Sequence, residues 1–231
     1  NFTPSARPFG YREYASTTKV LISGATTSVL DSTMQNTLQL NGDVKLLPGT
    51  SKWGTHSYFF DGTGDYISVY AYDRSALSCY FGTQDFTIEA WLYPTTVSKA
   101  MTVIDSRTSA ASTTGLALSI SATGFPSVVI NNTTLFTSST ALTINTWTHV
   151  AVVRYGTTVT LYLDGTKPTT GNGTSAASCT DRDVTIGTSV GNRDATATNH
   201  YQGYIDDLRV TRGYARYVAN FTAPTSPNKG L

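Results

Sequence analysis

Glutamate is nearly missing from this chain: among 231 residues it stands only at Glu13 and Glu89. Glycoside hydrolysis needs two facing carboxylates, one of them a proton donor. On its own strand, Glu89 has Trp91 and Tyr93, not an acid, as same-face neighbours. The Asp residues that could substitute lie mostly in turns such as Asp61-Gly62 and Asp164-Gly165, where the side chain commonly serves the backbone. Histidine is scarce as well, at His56, His149 and His200, and His149 reads as a structural residue on a strand. Zinc-ligand spacing is absent. The chain is therefore expected not to be an enzyme.

Charge is thin: Asp, Glu, Lys and Arg make up 13% of the residues and the net charge is +1. With no basic stripe to track phosphates, no nucleic-acid partner is expected. No apolar run approaches the ~20 residues that a membrane-spanning helix requires, so no membrane insertion is expected. Cys79 and Cys179 match neither a metal motif nor a disulfide framework. Free buried thiols are the expectation for them, and a single long-range disulfide is the alternative. No signal-peptide pattern is visible at the start.

Helical periodicity is absent too, since no segment keeps it for three turns. What the chain does have is Thr, Ser, Gly and Tyr, the composition of strands and turns. Short runs of alternating apolar residues are separated by turn clusters, the pattern of a sandwich or barrel. The spacing predicts strands at 58–60, 66–70, 86–93, 101–105, 115–121, 127–130, 148–155, 158–163, 184–188 and 204–211, with earlier ones at 19–22 and 37–40. In the 86–93 strand, Phe86, Ile88, Ala90 and Leu92 point one way and Thr87, Glu89, Trp91 and Tyr93 the other, one core face and one amphipathic face. The run Val150-Ala151-Val152-Val153 is apolar on both faces, which places its strand centrally in a sheet. Residues 106–114 and 166–183 read as long surface loops and contact surfaces.

The two ends echo each other, Asn1-Phe2-Thr3-Pro4 against Asn220-Phe221-Thr222-Ala223-Pro224. Three segments are expected: an extended arm at 1–16 that is either the tail of a preceding module or a reach to a partner, a domain at 17–211 and an exit segment at 212–231.

The motif order Tyr58-Phe59-Phe60-Asp61-Gly62-Thr63-Gly64-Asp65, Phe86-Thr87-Ile88-Glu89-Ala90-Trp91, Trp147-Thr148-His149-Val150, Leu161-Tyr162-Leu163-Asp164-Gly165 and Gly203-Tyr204-Ile205-Asp206-Asp207 resembles the laminin-G-like, concanavalin A-like superfamily. The closing run from Gly213 to Pro224 resembles the tails of such domains in bacteriophage and prophage virion proteins. The resemblance implies an all-β, two-sheet antiparallel jelly-roll sandwich. It also implies that Trp147 and Tyr204 are core residues. Glucanase relatives carry a Glu-x-Asp-x-x-Glu run that this sequence lacks.

Two sites are expected from these residues. Asp61, Asp65, Asp206 and Asp207 offer the hard oxygen ligands that a structural calcium ion takes, and in many members of the resembled superfamily such a pair of acidic elements is joined by calcium. Tyr70, Tyr72, Tyr80, Tyr201 and Tyr217, in or beside loops, are the candidate rings for stacking on glycans. The expected function is a non-enzymatic binding or structural module of a virion protein, in a tail fibre, adhesin or capsid decoration on the particle surface. Its expected partners are other virion or filament subunits, in a homo-oligomer, and host-surface glycans. The alternative is a secreted bacterial lectin-like adhesin at the cell surface.

Overall fold

Every regular element among the described residues is a β-strand. The computed structural model describes residues 17–24, 29–33, 35–71, 79–109, 111–181, 184–189 and 199–228; the expected arm at 1–16 and Tyr72 lie outside them. The strands are β1 (Thr18–Ile22), β2 (Asn36–Asn41), β3 (Lys45–Pro48), β4 (His56–Asp61), β5 (Tyr66–Ala71), β6 (Phe86–Pro94), β7 (Met101–Asp105), β8 (Leu116–Ile120), β9 (Pro126–Ile130), β10 (Thr133–Thr137), β11 (Thr148–Tyr155), β12 (Thr158–Leu163), β13 (Asn172–Thr174), β14 (Val184–Ile186) and β15 (Gln202–Arg212). They form two antiparallel sheets: β13-β12-β11-β6-β15-β4-β3 with β1 also on β15, and β10-β9-β8-β7-β14-β5-β2. This is the two-sheet sandwich that the resemblance implies, and one of the two architectures that the alternating pattern allows.

Between the sheets lies one apolar core. On β6, Phe86, Ile88, Ala90 and Leu92 enter it as the alternation requires, joined by Val150 and Val152 of β11, Ile205 and Val210 of β15, and Ile104, Leu118 and Ile186 from the second sheet. Burial of each such side chain is worth ~1.5–3 kcal/mol, so the inner faces carry most of the cohesion. Strand β11 lies between β6 and β12, the central place that its doubly apolar run indicates.

Three strands escape the sequence pattern. β13 contains no large apolar residue, β3 is exposed or half-buried throughout, and β10 has a single buried position, Phe136. The 166–183 segment is consequently not all loop: β13 extends the first sheet, and Cys179 pairs with Gly82 in an isolated bridge. Asp181 ties this segment to 106–114 by accepting from the Thr108 amide at 3.0 Å and the Thr114 hydroxyl at 2.5 Å. Cys79 and Cys179 are free and buried. Burial pushes both thiols up, that of Cys179 to about 11.

Strand β15 has two successive partners on one edge. Its first residues pair with β4, from Gln202↔Asp61 to Ile205↔Tyr58, and its later ones pair with β1, from Leu208↔Ile22 to Thr211↔Thr18. The changeover falls at a bulge between Asp206 and Arg209, where Asp207 has φ 53°; a short polar side chain tolerates that left-handed conformation better than most.

Candidate functional site

The outer face of the first sheet is lined with aromatic rings. Phe59 of β4 is opposite Tyr204 of β15, and Tyr204 is opposite Tyr93 of β6. Ring centroids step 5.0 Å from Phe59 to Tyr204, 5.7 Å to Tyr93 and 5.4 Å to Trp147. All four residues are half-buried, standing on the sheet with part of each ring open. Trp147 and Tyr204 are thus on the outer face rather than in the core. The reason is parity: Tyr204 neighbours Ile205 along β15, and Ile205 takes the inward position.

Gly203 allows the row to assemble. Its φ is 138°, and a Cβ there would sit 2.2 Å from the Tyr93 carbonyl oxygen, so β15 approaches β6 at this point only with glycine. Two residues beyond the row, on the same face, come polar groups: Asp61 opposite Gln202, with Lys99 donating to the Gly62 carbonyl at 2.7 Å. On the other side Trp91 meets Trp53 edge-on at 5.9 Å, and the Lys52 ammonium lies 3.6 Å from the Trp91 ring centroid, a cation–π contact.

The other half of the same face is covered by the chain after β15. Ala215, Tyr217 and Phe221 pack on Ala151, Val153 and Tyr162, and the Thr87 hydroxyl donates to the Tyr214 carbonyl and accepts from the Arg216 amide. Beneath this cover lies Glu89, 1% exposed. Arg209 donates to its Oε1 from Nε and Nη2 at 2.9 and 2.7 Å, and Tyr217 donates to Oε2 at 2.8 Å. His149 Nε2 lies 3.2 Å from Oε2. Burial alone would raise this carboxyl, but the imidazole and guanidinium beside it hold it down to about 2. Glu89 is therefore an ionised anchor for the covering segment.

The four acids expected to hold a calcium ion lie in two places, Asp61 at the end of β4 with Asp65 in the loop before β5, and Asp206 and Asp207 at the bulge of β15. Asp65 accepts the amides of Asp43 and Asp61 at 2.5 and 2.8 Å, and Asp61 accepts that of Thr63 at 2.7 Å. Asp206 serves the junction where β1 gives way to β4: its Oδ1 accepts from Gly24 and Asp207, and its Oδ2 from Lys52 and Trp53. Asp207 accepts the Asn228 amide at 2.8 Å. Each of the four carboxylates accepts at least one backbone N–H, and Asp61 lies opposite Gln202, four residues before Asp206. Among the described residues no cluster of three or more His, Cys, Asp or Glu is placed to hold a metal ion.

Nor do the candidate tyrosines form one surface. Tyr201 is fully buried and packs edge-on against Phe60 at 6.0 Å, so it belongs to the core and not to a glycan site. Tyr217 spends its hydroxyl on Glu89 and stacks on Phe221 at 3.6 Å. Tyr70 is 55% exposed but lies on β5 of the second sheet. Tyr80 rims a depression of about 460 Å³ at the opposite end of β6 from the row, lined also by Gln84, Ser178 and Arg212. The rings that do assemble, Phe59, Tyr93, Trp147 and Tyr204, were outside that set, although Tyr93 already stood on the outward side of its strand by alternation.

Two apposed antiparallel sheets, with an aromatic outer face half covered by the following segment, define a lectin-type β-sandwich. A laminin G-type family model described as the concanavalin A-like lectin/glucanases superfamily matches residues 61–215, and the chain belongs to this family. No curated protein matches the sequence. Among solved structures, the binding domain of botulinum neurotoxin serotype C1 is similar with a TM-score of 0.62 at 12% identity, over 85% of this chain and 49% of that one. The serotype D binding domain gives 0.59 at 15% identity, over 89% and 49%. Domain 4 of AbnA, an extracellular GH43 arabinanase from Geobacillus stearothermophilus solved in complex with arabinotriose, gives 0.58 at 16% identity, over 86% and 94%. This chain spans about half the length of the toxin domains, and at these identities the likeness is one of fold.

Proposed function

We propose that this chain is a non-enzymatic glycan-binding module of a phage or prophage virion protein, displayed at the particle surface. The observation that carries the binding reading is the half-open row Phe59, Tyr204, Tyr93 and Trp147, bordered by Asp61, Gln202 and Lys99. Sugars are taken by ring faces together with a few directional polar groups, and this face offers both. A domain of the same fold solved with arabinotriose supports the reading. The virion location rests on the resemblance of the closing run from Gly213 to Pro224.

Hydrolysis is disfavoured by the state of Glu89. Its carboxylate is covered, ionised and engaged by Arg209 and Tyr217, whereas a general acid must hold a proton near neutral pH beside a second carboxylate. The test is a glycan array probed with the purified chain, with and without calcium, beside Trp147→Ala. Binding of a defined glycan class by the parent chain and weaker binding by the variant are expected; failure of the parent to bind any glycan rejects the proposal.

A further inference from the structure

The covering segment is held in a groove that reads three features in order. The Asn220 Oδ1 accepts from the Lys167 amide at 3.0 Å, and the Phe221 amide donates to the Gly165 carbonyl at 2.9 Å. The Phe221 ring stacks on Tyr217 at 3.6 Å and 6° and meets Tyr162 and His149 edge-on at 5.4 and 5.9 Å. Gly165, at φ 80°, completes the groove: a Cβ there would sit 1.9 Å from the Phe221 carbonyl oxygen. A side-chain amide, an aromatic ring and the backbone amide between them are what the groove recognises.

The chain carries that set twice. Asn-Phe occurs at residues 1–2 and 220–221 and nowhere else in the sequence, each time followed by Thr and, within one further residue or two, by Pro. The second of these segments occupies the groove beside Gly165. We infer that residues 1–4 are a second latch, able to seat in the Phe221 groove of another copy of this chain, which makes the outer face beside Gly165 an interface between copies. Beside the groove a depression of about 260 Å³, bounded by Tyr162, Lys167, Asn172 and Val218, leaves the approach open, and Val218 is 66% exposed. In dilute solution the chain's own tail holds the groove, because a tethered segment has a high effective concentration. A neighbour's latch takes the groove when that tail is displaced or when copies are crowded together.

The experiment uses the full chain. Phe221→Ala empties the ring's seat while Tyr217 stays on Glu89, and light scattering after gel filtration over a rising concentration series reads the mass. Phe221→Ala is expected to associate, and Phe2→Ala/Phe221→Ala to return to the monomer. A Phe221→Ala chain that stays monomeric throughout, or association that survives Phe2→Ala, overturns the inference. Should Phe221→Ala fold poorly, the parent chain is titrated with the peptide Asn-Phe-Thr-Pro-Ser while the Gly165 and Lys167 amides are followed by NMR. Saturable shifts that vanish with Asn-Ala-Thr-Pro-Ser are expected, and no shift at millimolar peptide overturns it equally.

Discussion

The Tyr217 hydroxyl donates to Glu89 Oε2 at 2.8 Å, fastening the segment after β15 to a charge in the middle of the sheet. Removing that hydroxyl leaves a buried carboxylate oxygen without its shortest donor. Tyr217→Phe is expected to cost ~1.5–3 kcal/mol, the range for a hydrogen bond to a charged group. Thermal denaturation reads the loss. Faster proteolysis at the exposed residues Val218 and Ala219, with the two sheets intact, would show that the bond holds the segment rather than the sandwich.

Glu89 makes stability depend on pH in a definite direction. Its carboxyl is held down to about 2 from an ordinary 4.5, so its contribution is complete above 4.5 and is lost as pH falls from there toward 2. Glu89→Gln leaves Arg209 buried without its partner and is expected to cost ~3–5 kcal/mol at neutral pH. Urea midpoints taken from pH 7 down to pH 3 should fall for the parent chain and change less for Glu89→Gln. Parallel curves would contradict the assignment.

Asp207 acts in the opposite sense. Burial, with further help from neighbouring Asp206, pushes it up to about 6 from 3.8, against the pull of the Asn228 amide. An acid raised on folding disfavours the folded state once pH exceeds its ordinary value, increasingly until the folded value is passed. Asp207→Asn keeps an acceptor for Asn228 and suits the left-handed backbone at φ 53°. It is expected to stabilise the protein at pH 7 by ~1–3 kcal/mol and to have little effect at pH 3.5. Denaturation midpoints at the two pH values decide it.

The strands legible in the sequence are those with a distinct apolar pattern. β6 declared itself because Phe86 and Ile88 face inward while Thr87 and Glu89 do not, and β11 because its run from Val150 to Val153 is apolar on both sides. β13 was illegible because Asn-Gly-Thr carries no burial signal and is held by backbone pairing to β12. The acids are ambiguous for a related reason. Clustered Asp residues look alike as ion ligands and as turn acceptors, and only the fold reveals that Gly24, Lys52 and Trp53 aim their amides at Asp206. The aromatic row was hidden because it crosses three strands and the loop before a fourth, so its members are far apart in sequence and meet only through register.

Calcium provides a direct check on that reading of the acids. Both oxygens of Asp206 and of Asp65 already accept backbone amides, so a cation would have to share them with those donors. The melting temperature is expected to be the same in excess calcium and in chelator. An ion that bound the folded state a hundredfold above its Kd would add ~2.7 kcal/mol, a shift plain in differential scanning fluorimetry, and its appearance would restore calcium as a structural ligand.

Trp147 and Tyr201 separate recognition from folding. Trp147 ends the outer row and is half-buried, while Tyr201 is fully enclosed against Phe60. Tyr201→Ala opens a cavity and is expected to cost ~3–5 kcal/mol of stability. Trp147→Ala removes one stacking ring worth ~1 kcal/mol, roughly fivefold in affinity for a glycan, and more if neighbouring Tyr93 relaxes into the gap. Its unfolding midpoint should move less than that of Tyr201→Ala. Glycan titration beside chemical denaturation of the two variants measures both effects. A Trp147→Ala chain that binds as tightly as the parent would show that the row is a surface feature without a part in recognition.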